Sequence, residues 1–537
     1  MAAGTWVPLA TKAPVNIGVM LLLPDGTVLC SAASDTSAGW YRLTPDTNGS
    51  YINGSWSTNH PSNYPHNLFA ADVVPDGRVF VGGGEHGIGI TNAEIYDPVA
   101  DHWTVINPPT SLFDPTQTNK FSDMISAVIS NGSVLMAPIH PLSPGGTLIY
   151  NAKSNLWSDG PILANGENNQ GECSWAKLAD GSILSIDTCR QMSQRYIPWL
   201  NQWVNDGHVP VSVWNTNRSG CEIGPAVTLP NGHVFFAGGN GNNVLYTPSG
   251  DASPGSWTSG PVTPDNFQSA DAPGAMMVNG NVLLAMATNC FNGGCDPPWA
   301  FFVYDYSVGT TGSFTQVSAP TTGLPGGLVI PWMLDLPDGK VLLSFGNDQL
   351  NVYEPGGTPL PAGKPTITSI SANPDGSFHL VGTGLNGISE GSFEGDDGQM
   401  ASDYPLVRLI NNTSGAVYYA RTYNWSSTGI LTGTTPESTE FRVPTSLPPG
   451  AYSLVVVANG IASDPEAFDG PVWVDFNTAI HPGNGTFATP YYTLALGISA
   501  VSAGGTIFVK PGSSSETPTI TKAMNIVAVG GSATVGN

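Results

Sequence analysis

Asp123, Glu172 and Asp271 each stand eight residues ahead of an Asx-Gly pair, namely Asn131-Gly132, Asp180-Gly181 and Asn279-Gly280. A fourth acid, Glu222, sits beside Ile223, the residue at the same distance from Asn231-Gly232. Carboxylates brought together from such equivalent positions raise one another's pKa or bind a cation. Ca²⁺ accepts about six to eight oxygen ligands, carboxylates among them, and suits this set. A pair of the acids could instead serve glycoside hydrolysis or sugar-lyase chemistry. The plainer alternative stays open, in which each acid hydrogen-bonds neighbouring backbone and binds nothing.

Other residues offer less. Glu85-His86 follows three glycines and could add a ligand. Glu390, Glu394, Asp396, Asp397 and Asp403 crowd one Gly-bearing stretch, SEGSFEGDDGQMASD, that suits a cation without the EF-hand spacing. Of the six cysteines, Cys173 and Cys189 lie symmetrically about Asp180-Gly181, so a simple hairpin places them opposite each other. Cys290 and Cys295 bracket the short FNGG loop. Both pairs suit disulfides and an oxidising compartment, whereas Cys30 and Cys221 have no evident partner. Dispersed histidines, and the lack of HExxH, GxSxG or a phosphate loop, leave no further catalytic motif.

The elements that position these residues recur. Seven Asx-Gly turns, each between two apolar runs, repeat at about the 50-residue period of kelch-type propeller blades. A two-residue turn there needs positive φ at both positions, which Asn, Asp and Gly tolerate best. Each hairpin is followed by a strand with a tyrosine: Tyr41, Tyr96, Tyr150, Tyr196, Tyr246, Tyr304 and Tyr353. A fourth strand then opens with Trp56, Trp103, Trp157, Trp203 or Trp257, with Phe314 in the sixth unit. The seventh unit has no such strand, but Trp6-Val7-Pro8 precedes the first hairpin. The pattern predicts an all-β chain whose residues 1–355 form a seven-bladed propeller closed by its N-terminal strand, which removes two exposed edges.

Residues 356–365 read as a Pro-rich linker, and 366–467 as short alternating strands spaced like an immunoglobulin-like sandwich. A propeller followed by such a sandwich, with Tyr404-Pro-Leu-Val-Arg-Leu and Val417-Tyr-Tyr-Ala-Arg-Thr-Tyr-Asn-Trp in the second part, resembles the galactose oxidase and glyoxal oxidase family. That resemblance implies a copper radical site with a Cys–Tyr cross-link, a Tyr-His pair, a His from the sandwich and a stacked Trp. Counting from the turns, those positions hold Ile17, Leu68, Val329-Ile330, Arg421 and His86. Cu(II) prefers imidazole, phenolate or thiolate, so copper is not expected.

Residues 468–537 resemble the first coils of a right-handed parallel β-helix: GNGTFATPYYTL, then GGTIFVKPG, TITK and NIVAVGG. About three stacked repeats are needed for such a solenoid to be stable. The expectation is therefore either a truncated solenoid or a surface that docks on this protein or on another subunit.

With 16 Lys and Arg against 40 Asp and Glu, the net charge of −24 leaves no phosphate-tracking surface. Nucleic acid and anionic membranes are excluded as partners. No apolar run approaches the roughly 18 residues of a membrane span. The opening MAAGTWVP lacks a signal peptide's basic region and apolar core, so export implies a mature form behind an added Met. Low charge and the expected disulfides favour an extracellular or cell-surface protein. The leading expectation is a non-redox propeller for surface binding or assembly, taking a glycan, a divalent cation such as calcium, or both at its mouth. The alternative is an enzyme: an oxidase with a displaced metal site, or a carbohydrate-active hydrolase or lyase.

Overall fold

A computed structural model describes residues 4–85, 91–118, 120–122, 124–215, 221–291, 294–325, 331–394 and 398–536. Asp123, His86, Val329, Ile330, Asp396 and Asp397 lie outside the described residues. The described residues are all-β apart from one short helix, Leu494–Ala500, and a few 3-10 turns. Its first part forms seven four-stranded antiparallel blades.

The turns start each blade. Gly26 N donates to Leu23 O at 2.9 Å and Leu23 N to Thr27 O at 2.8 Å, enclosing Pro24-Asp25-Gly26. Only the glycine takes positive φ, +73°. Asp25 instead turns its carboxylate onto Thr27 N, 3.1 Å away, and Asp76, Asn131, Asp180, Asn231 and Asn279 repeat that contact two residues on. These are three-residue hairpin loops with a left-handed glycine, not the two-residue turns expected. The Asx side chain caps a backbone N–H, so its own φ need not be positive.

The aromatic repeat fills the space between blades. Tyr96 meets Trp103 at 4.7 Å between ring centres, Tyr150 meets Trp157 at 5.0 Å, and Tyr246 meets Trp257 at 5.0 Å. Phe314 takes the tryptophan's place against Tyr304, at 5.5 Å. In the last blade the strand Thr5–Pro8 pairs with Asn351–Glu354, setting Trp6 opposite Tyr353. Their rings lie 4.9 Å apart, and Trp6 Nε1 donates to Ser318 O at 2.7 Å. The N-terminal strand thus closes the ring.

Eight strands between Thr366 and Gly470 form the sandwich that follows, around a core including Phe378, Leu409, Phe441 and Tyr452. It packs on the turn face of the propeller, where a Cβ on Gly26 would run into the Tyr419 ring. From this unit a hairpin, Gly391–Glu394 and Gly398–Ala401, enters the propeller channel. Its first strand pairs antiparallel with Pro273–Met276, the innermost strand of blade six. The hairpin also packs on the innermost strands of blades one, two, three, five and seven.

Beyond the sandwich, Val472–Val474, Thr506–Val509 and Asn525–Ala528 stack in parallel. Gly512–Ser514 pairs in parallel with Ala533–Val535, completing the β-helix-like segment. The helix between the first two parallel strands is capped by Thr493, whose hydroxyl accepts from Leu496 N at 3.2 Å.

Candidate functional site

Three of the four acids read from the turn register meet. One carboxylate oxygen from each of Glu172, Glu222 and Asp271 lies within 4.8 Å of the other two. They come from blades four, five and six, at the channel mouth away from the sandwich. Glu222 and Asp271 are buried, 3% and 4% exposed, and Glu172 is half-buried.

The backbone aims them inward. Each precedes an innermost strand: Trp175–Lys177, Ala226–Thr228 and Pro273–Met276. Those strands converge on the axis, so the residues ahead of them share one rim. Glu172 and Asp271 both occupy left-handed backbone, with φ of +65° and +44°. For a non-glycine residue such backbone costs about 1–3 kcal/mol and persists only where surrounding structure enforces it.

Two disulfides lie beside the acids. Cys189 joins Cys221, the neighbour of Glu222, across blades four and five, with 5.2 Å between Cα atoms. Cys290 joins Cys295 within blade six, as the short loop suggested. Cys295 Sγ lies 3.1 Å from Ala270 O, just ahead of Asp271. Asn215 links the two regions: its N donates to Glu222 O at 3.0 Å and its Nδ2 to Cys290 O at 2.7 Å.

The expected Cys173–Cys189 pair does not form. Cys173 Sγ faces Ile186 O at 3.2 Å and Thr188 Oγ1 at 3.0 Å. Cys189 lies past the strand Ile183–Ile186 with φ of +58°, and that left-handed turn carries its sulfur to the next blade. Cys30 stays reduced in the core of blade one, where burial pushes its thiol far above the usual range.

The stretch read as a possible second cation loop is divided differently. Glu390 and Asp403 lie at the base of the channel hairpin, where both approach Lys177 of blade four, at 3.7 and 2.6 Å. Glu394 ends the hairpin's first strand opposite Pro273, two residues from Asp271. Glu85 is half-buried and outside the converging group.

Sequence reasoning missed Lys177, Asp335 and Glu167. Glu167, five residues before Glu172, is pushed up to about 7 by burial and by the charge of Asp187. Asp335, on the innermost strand of blade seven, is pushed up to about 8 by burial. An acid inside an otherwise apolar inner strand, WMLDL, was the available signal.

The positions implied by a copper radical site do not fit copper. Ile17 and Leu68 are buried and carry no donor atom. The Arg421 guanidinium donates to Asp76 O at 3.3 Å and lies over the Tyr423 ring, a cation where a neutral ligand would be required.

No family model matches the chain, and no curated protein matches it. Among solved structures it is similar to a fungal alcohol oxidase of the AA5 family in complex with copper, with 15% identity and a TM-score of 0.49 over 87% of this chain and 99% of that one. It is also similar to virginiamycin B lyase from Staphylococcus aureus, with 10% identity and a TM-score of 0.41 over 65% of this chain and 98% of that one. At these identities and scores the likeness carries neither activity to this chain.

Proposed function

We propose that this is a non-redox extracellular propeller protein that binds calcium at its mouth and uses the site in surface attachment, to a glycan or another cell-surface component. The observation that carries the reading is the convergence of three carboxylates from three blades within 4.8 Å. Two oxygens on opposite sides of one Ca²⁺, each about 2.4 Å from it, are about 4.8 Å apart. Unit charges at this range repel by roughly 3–4 kcal/mol per pair at an effective dielectric of about 20, which a divalent cation relieves. The two disulfides fit an oxidising compartment, and no helix among the described residues is long and apolar enough to cross a membrane.

Calorimetry with chelator-treated protein tests the site. Calcium should bind with about one-to-one stoichiometry and raise the unfolding temperature, since a ligand held only by the folded state stabilises it. Glu222→Gln and Asp271→Asn should each abolish the heat and the shift while leaving the fold intact. Calcium binding unchanged in both variants would refute the site. Glycan hydrolysis that both variants lose, without any bound calcium, would move the acids to catalysis instead.

A further inference from the structure

The second cluster of ionisable groups lies at the opposite end of the channel, where the propeller meets the sandwich. Lys177 ends the innermost strand of blade four and is 3% exposed. Its Nζ lies 2.6 Å from Asp403 Oδ2 and 3.7 Å from Glu390 Oε1, and donates to Thr428 O at 3.0 Å. Glu390 is held beside the amine by a second contact, accepting from Lys177 N at 2.9 Å through Oε2. Tyr404 and Trp425 stack flat against each other, 4.7 Å between centres, and line the same small cavity as the three groups. That cavity, about 10 Å³, is at the lower bound for one water.

This arrangement is more than charge balance requires. Asp72 adds a third buried carboxyl to the cavity wall, so three acids surround one amine with little solvent to screen them. A buried ion pair recovers its desolvation only with full compensation. An amide between the amine and one acid removes two formal charges at once. Held in contact, such groups reach effective molarities of about 10⁵–10⁸ M.

We propose that Lys177 and Asp403 condense into an isopeptide bond that joins propeller to sandwich, with Glu390 as the proton carrier. Glu390 takes one proton from the ammonium, and the freed Nζ attacks Cγ of Asp403. The Nζ–Cγ bond forms and one Cγ–O bond breaks. The departing oxygen leaves as water with two of the three ammonium protons, one of them delivered by Glu390. The third remains on the amide nitrogen, and no oxidant or co-reactant is consumed. Burial, which pushes Glu390 above the usual carboxyl range, suits it to hold a proton between these partners.

Intact mass of the full chain, reduced and denatured, reads the bond directly. The wild type should weigh one water less than its sequence, and a branched peptide should join the segments containing Lys177 and Asp403. Trypsin, which needs a cationic lysine, should not cut after Lys177. Glu390→Gln keeps both reacting partners and should restore the full mass and the tryptic cut in protein whose circular dichroism is unchanged. A wild type of full mass, with Lys177 and Asp403 in separate linear peptides, would overturn the proposal. A bond that persists in Glu390→Gln would overturn the proton-carrier role and with it the proposal as stated.

Discussion

Asp335 shows what the channel does to a single carboxyl. It is fully enclosed between the innermost strand of blade seven and the channel hairpin, with Ser392 Oγ donating to it at 3.3 Å. Burial raises it from 3.8 to about 8. Above pH 4 the unfolded chain ionises this acid while the folded chain still holds its proton. Its contribution to stability is therefore intact below about 4 and falls as pH rises towards 8, by up to about 1.4 kcal/mol per pH unit. Asp72, raised to about 6 by the same cause, adds the same sign between 3.8 and 6. Asp335→Asn is isosteric and cannot ionise. In denaturant titrations it should be more stable than the wild type at pH 8, and this advantage should shrink as pH falls and vanish only below about pH 4. Superimposable stability–pH profiles would show that the carboxyl does not titrate there.

Blades and their junctions form the next scale, where local sequence signals and distant contacts part company. Strand order, ring closure and three of the mouth acids were legible because each rests on a repeat: a turn, a tyrosine, one displaced tryptophan. The Cys189–Cys221 bridge was not, because it joins neighbouring blades, and its geometry depends on a left-handed Cys189 that pairing symmetry does not reveal. The channel hairpin was hidden for a similar reason. Its acids read as a possible cation-binding loop, and only the partner strand Pro273–Met276 makes Gly391–Glu394 an inner strand. The bridge has a measurable consequence. It spans 32 residues, so the double variant Cys189→Ser, Cys221→Ser should lose about 3.7 kcal/mol of stability in chemical denaturation. Calcium affinity should fall with it, because Glu222 adjoins the bridge. Unaltered affinity in the double variant would mean that blade packing alone holds the acid in place.

At the scale of the whole molecule, the propeller ring closes through its N-terminal strand, whereas the parallel C-terminal sheet has an outer strand. In the parallel sheet the order runs from Val472–Val474 through Thr506–Val509 to Asn525–Ala528, so the last strand has one neighbour among the described strands. The first two strands are buried, but Ile526 on the third is 41% exposed. An edge of this kind presents unpaired backbone groups that accept a further strand, and stacked coils gain stability from each added neighbour. We propose this exposed strand as the surface through which the protein self-associates. Sedimentation velocity across a concentration series should show reversible association of the wild type. Ile526→Lys, which puts a charge on the exposed edge strand, should remain monomeric at every concentration with its calcium binding unchanged. A wild type that sediments as a monomer throughout would remove assembly from the function.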